Sequence, residues 1–109
     1  MTKAEGVIGL ARKAGMLAVG TNGVLDAVKS GKAVLVLIAS DASENTKKLL
    51  FDKASFRSVP TEELEIGTEQ LGRVVGKQNT AAAAFLSDGF LTAYRKATDP
   101  KTNRPGSQQ

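Results

Sequence analysis

The sequence predicts an α/β protein, a three-layer α/β/α sandwich around a four-stranded mixed sheet. Three observations carry this. Segments with a helical spacing of apolar residues alternate with strand-like segments along the chain. Residues 33–39 (AVLVLIA) are apolar without a break, the pattern of a strand covered by helices on both faces. And 109 residues make a single domain of near-modal size, able to bury roughly two thirds of its unfolded surface.

The elements follow in order. From residue 4 to 14, Val7, Ile8, Leu10, Ala11 and Ala14 recur at three- and four-residue steps, an amphipathic helix stopped by Gly15, with Arg12 and Lys13 in its last turn where cations suit the dipole. Residues 16–19 form a short strand. Gly20-Thr21-Asn22-Gly23 supplies small and capping residues before Val24, Leu25, Ala27 and Val28 resume helical spacing, and Ser30-Gly31 ends that second helix. The apolar strand at 33–39 follows. Ser40, Asp41 and Ser43 are N-cap candidates for a third helix whose buried side is expected at Leu49, Leu50, Ala54 and Phe56, behind exposed Lys47, Lys48 and Lys53.

Beyond Pro60, the alternation Glu63-Leu64-Glu65-Ile66 predicts a strand with one wet face at a sheet edge. Gly67-Thr68 opens a short helix through Leu71, Val74 and Val75, closed by Gly76. Residues 81–86 (AAAAFL) are helical by propensity, but their position between two helices and their short length favour a central strand. Ser87-Asp88 caps a last helix burying Phe90, Leu91 and Tyr94. The domain is expected to span residues 1–97. Residues 98–109, with two prolines and no large apolar side chain, are expected to be a disordered polar tail.

Composition excludes more than it selects. The absence of cysteine removes disulfides, thiolate metal sites and cysteine nucleophiles, and the absence of histidine removes the commonest general base and metal ligand. No cofactor and no catalysis are expected. The longest apolar run falls far short of the ~20 residues of a bilayer span, so the expectation is a cytoplasmic protein with no membrane partner. The net charge of +4 is unevenly spread: residues 1–60 hold nine basic and five acidic side chains, residues 61–70 four glutamates and no base, and residues 71–109 six basic and two acidic. A basic face able to meet an anionic partner is consistent with that distribution.

Phosphate-loop chemistry fails on spacing, since neither GxxxxGK[ST] nor GxGxxG occurs. Asp41 and Ser43 follow a strand, where α/β enzymes place catalytic groups, but serine and carboxylates there are more often helix caps, and no base of suitable pKa is present to activate the serine.

The segment 20–39 (GTNGVLDAVKSGKAVLVLIA) resembles the RNA-binding core of the L-seven-Ae ribosomal protein family. GLARKAG at 9–15, DASENTK at 41–47 and LGRVVGK at 71–77 extend the likeness to about residues 6–95, and these variants are similar to the family's bacterial YlxQ-like branch. The resemblance implies an α/β/α module that recognises kink-turns, sharply bent RNA elements with tandem sheared G·A pairs. It implies that the turn Gly20, Thr21, Asn22 and Gly23 enters the opened major groove, and that the connector Lys77, Gln78, Asn79, Thr80 and Ala81 packs on the other side of the bend. The expected partner is structured RNA, a kink-turn or ribosomal RNA, with the ribosome as its setting and the chain as a monomer.

The chemistry of these residues fits that role. Asn22 offers one acceptor and two donors to a purine edge, although an N-cap role would also explain an Asn at a helix start. Gly20 and Gly23 leave space for close approach. Lys29 and Lys32, toward the end of the same helix, are candidates for phosphate contacts or simply solvated charges. The family commonly has Glu after the Asn and Lys four residues after it, whereas here the positions hold Gly23 and Asp26. The alternative reading is therefore a protein-interaction module that keeps the fold and has lost kink-turn recognition.

Overall fold

The computed structural model describes residues 2–98. Among the described residues nine elements alternate: α1 (Lys3–Lys13), β1 (Leu17–Val19), α2 (Gly20–Lys29), β2 (Leu35–Ile38), α3 (Glu44–Phe56), β3 (Thr61–Glu63), α4 (Thr68–Val75), β4 (Ala82–Phe85) and α5 (Asp88–Thr98). The expected tail lies outside the described residues except for Thr98, which is the last residue of α5.

The sheet is four-stranded and mixed, in the order β1-β4-β2-β3. β4 runs antiparallel to both β1 and β2, and edge strand β3 runs parallel to β2. Alternate residues of the central strands therefore feed two separate cores, as the two-residue period of a strand requires. Leu35, Leu37, Ala83 and Phe85 face α1, α4 and α5, while Val36, Ile38, Ala82 and Ala84 face α2 and α3. Continuous apolarity in β2 is thus explained by burial on both sides. The alanines of β4 leave room for helices to close on each face, and Phe85 fills the first core with its ring centroid 5.3 Å from that of Tyr94. Each fully buried Leu, Ile or Phe contributes about 1.5–3 kcal/mol relative to exposure.

Several expectations need correction. β3 lies at 61–63, not 63–66, because the ladder starts where the Val36 N–H donates to the Pro60 carbonyl (2.9 Å). Phe56 is 83% exposed and Leu49 is exposed as well. Leu50 and Ala54, one helical turn apart, face the sheet, and Phe56 lies two residues past Ala54, about 200° further round the helix, on the side away from the core. Lys47, expected in water, is instead mostly covered and paired with Glu63 of β3 at 3.4 Å. No helix among the described residues is long and apolar enough to cross a membrane.

Candidate nucleic-acid interface

Strand register decides which loops meet. β1, β2 and β3 all run in one direction, and β4 runs against them, with Val19 opposite Ala83 and Ile38 opposite Ala82. One end of the sheet therefore gathers the exits of β1, β2 and β3 and the entrance to β4. The turn at 20–23 and the connector at 77–81 are neighbours there.

At that end the chain passes from β1 into α2 without a loop. Gly20 makes the corner with φ +85°, a left-handed conformation that a side chain would strain. Val19 occupies the cap position and supplies no side-chain hydrogen bond, so the first N–H groups of α2 have no side-chain acceptor. Asn22 consequently lies inside the first turn and is not the N-cap that a local reading allows. It is exposed, and its amide makes no hydrogen bond among the described residues. A side chain added at Gly23 would meet nothing within 4 Å, so the surface beside Asn22 is open.

The other two helix starts at this end are already satisfied. Ser43 accepts from the Thr46 N–H (3.1 Å) at the start of α3, and Asp41 accepts from the Thr68 N–H (2.6 Å) at the start of α4. Asp41 thus caps a helix 27 residues ahead, across the sheet end, and not the one that follows it. The two residues that sequence placed as caps or catalytic groups are both committed to backbone.

The connector is held tightly. The Lys77 N–H donates to the Gly72 carbonyl (2.8 Å), and the Thr80 N–H donates to the Thr68 carbonyl (3.0 Å). Thr80 is 3% exposed and its hydroxyl turns inward to the Gln78 carbonyl (3.3 Å). Thr80 therefore shapes the loop, and Ala81, whose carbonyl accepts from the Ala39 N–H (2.8 Å), belongs to the sheet ladder. Lys77, Gln78 and Asn79 are the exposed part, forming a depression of about 480 Å³ with Glu69 and Arg73, which pair with each other at 2.9 Å.

Asn22 lines a different surface, a groove of about 610 Å³ between α2 and α3. Lys29, two turns along α2, shares it, as do Asp26 and, from α3, Lys53, Phe56 and Arg57. Lys29, Lys53, Arg57 and Asp26 form no ion pair among the described residues. Lys32 is exposed beyond the far end of α2, outside this groove. Lys13 ends α1, which packs on the opposite layer. Sequence reasoning passed over Lys53, Phe56 and Arg57 as groove residues. Their signal was an aromatic ring and two cations within five residues at a helix end.

Comparison with known proteins identifies the family and the fold. The family model described as ribosomal protein L7Ae/L30e/S12e/Gadd45 matches residues 2–92. An RNA-binding protein YlxQ from Enterococcus faecium is 41% identical over 88 residues, covering 81% of this chain and 84% of that one. The large ribosomal subunit protein eL30 of Methanosarcina mazei is 36% identical over 86 residues, covering 79% and 80%. Among solved structures, a Bacillus halodurans protein of unknown function superposes with a TM-score of 0.82 at 31% identity, covering 91% of this chain and 99% of its own.

Proposed function

We propose, since this chain belongs to the ribosomal protein L7Ae/L30e/S12e/Gadd45 family, that it is a non-catalytic RNA-binding protein that holds a bent, kink-turn-like RNA at the start of α2. The observation that carries the reading is the combination at one corner: an exposed Asn22 amide without a partner, uncapped N–H groups beside it, and open space over Gly23. Free N–H groups at a helix start suit phosphate oxygens, and a free amide suits a purine edge. In this reading Gly20 and Thr21 carry the backbone approach, Lys29 reaches a phosphate along the groove, and Lys77, Gln78 and Asn79 touch the far side of the bend. Thr80 and Ala81 act by holding that connector in place. The partner is ribosomal or another structured RNA in the cytoplasm, bound by a monomer.

Titration of a kink-turn RNA tests it. Asn22→Ala is expected to cost about 1–3 kcal/mol of affinity, and to cost more on the intact element than on one whose G·A pairs are replaced by Watson–Crick pairs. Equal affinity of wild type and variant overturns the site. Lys29→Gln is expected to weaken all RNAs alike and to lower the salt slope by about one.

Asp26 favours a second reading. Four residues after Asn22 it sets a negative charge in the same groove, as a surface adapted to a protein partner would. Absence of RNA binding even at low salt would select that alternative.

A further inference from the structure

The groove between α2 and α3 runs well past the Asn22 corner, and its far wall has no part in the reading above. That wall is Phe56, a ring 83% exposed at the end of α3, with the Arg57 guanidinium 6.0 Å from its centroid. Lys53 stands one turn before and Lys29 faces both from α2. Two features make this more than a stray phenyl group. The backbone fixes it: Ser58, in the left-handed region, and Val59 fold back to donate to the Ser55 and Ala54 carbonyls (3.0 and 2.8 Å), so the segment bearing Phe56 and Arg57 is anchored at the helix end. The charge lining the groove is one-sided: three cations free of ion pairs among the described residues face one carboxylate, Asp26, while Asp52, one turn before Phe56 on α3, lies outside that lining.

We infer that this groove is a second RNA contact, in which Phe56 stacks on an unpaired base while Arg57 and Lys53 meet the phosphates of a single-stranded segment adjoining the element held at Asn22 and Lys29. The inference rests on the RNA-binding reading and extends it. A flat ring accepts the face of any base, and cations flanking it track the backbone, the pairing of features that sequence-tolerant single-strand sites use. Geometry supplies the path. Asn22 and Lys29 are seven residues apart on α2, about 10 Å along one helix face, so a strand leaving the Asn22 corner down the groove reaches the ring. Leu25 and Val28 floor the groove beneath the ring and give a base an apolar bed, while the cationic rim of Lys29, Lys53 and Arg57 favours a polyanion over an apolar protein surface.

Three probes test it: a kink-turn hairpin with blunt ends, the same hairpin with a single-stranded adenosine tail on either end in turn, and a short oligoadenylate alone. The tailed hairpin is expected to bind wild-type protein on the order of tenfold more tightly than the blunt one for the productive tail. Phe56→Ala should erase that gain and leave the blunt hairpin unaffected, and Phe56→Tyr should retain it. A tail that adds nothing, or a gain that survives Phe56→Ala, overturns the inference. If the hairpin fails to bind while oligoadenylate binds in a Phe56-dependent way, the groove stands and the Asn22 reading falls. Binding of no probe overturns both.

Discussion

Ser58 holds φ +59° just past the C-cap of α3, the position that Gly15 and Gly31 fill after α1 and α2, while α4 ends one residue sooner on left-handed Gly76. A residue with a Cβ is strained there by about 1 kcal/mol. Ser58→Gly is therefore expected to raise stability by about 0.5–1 kcal/mol, read as a higher urea midpoint at unchanged slope. A lower midpoint would mean that the serine has a compensating role. Single residues were legible in sequence where one local rule governed them. The three glycines announced their helix ends because only glycine takes that conformation freely, whereas a serine gives no such notice. An N-cap at Asn22 would start α2 three residues too late, since the left-handed corner at Gly20 starts the helix directly from the strand with Val19 as its cap. Phe56 was misjudged because an apolar residue near a helix end fits two stripes, and only the packing of Leu50 and Ala54 on the sheet selects between them.

Among the elements, α4 and the connector behave as one unit. A methyl group at Gly72 would sit 1.5 Å from the Gln78 carbonyl oxygen, an impossible approach, so the connector lies directly on the bare helix at that point. Gly72→Ala is expected to push residues 77–79 off α4 and to destabilise the protein by about 1–3 kcal/mol in thermal melts. On the reading above it also weakens RNA binding, and a variant that melts and binds like wild type would show that the connector moves without consequence. The sequence revealed α4 through its apolar spacing and its terminal glycine. It revealed nothing of Gly72, because close approach to a loop six residues on leaves no periodic trace. The alanines at 82–85 were readable as a strand only from their place between helices, since propensity favours the opposite assignment. The two-residue displacement of β3 has a related origin: alternation marks a half-wet segment, while the neighbouring strand determines where pairing begins.

For the molecule as a whole, layer architecture was legible from the order of elements, but the insertion of β4 between β1 and β2 was not, because strand neighbours far apart in sequence are chosen by global packing. Whole-molecule stability also carries a pH signature. Burial, with Glu62 adding to it and Arg95 opposing, pushes the Tyr94 phenol from 10.0 up to about 12. The unfolded chain releases this proton first, so ionisation of Tyr94 leaves stability unchanged below pH 10 and lowers it between about pH 10 and 12, by up to about 2 kcal/mol. Tyr94→Phe is expected to make the denaturation profile shallower in that window, and an unchanged profile would mean that the phenol ionises as freely folded as unfolded. Finally, α2, α3 and α4 each leave the carboxyl end of β1, β2 or β3, so three helices begin at the same pole of the protein. Ser43 and the Asp41 carboxylate already occupy the starts of α3 and α4, so of the three the start of α2 alone keeps its N–H groups and its positive dipole end open to an anion. On the proposed reading, a phosphate finds its strongest backbone attraction at that single corner, a directional preference built into the main chain and left in place by side-chain changes elsewhere on the pole.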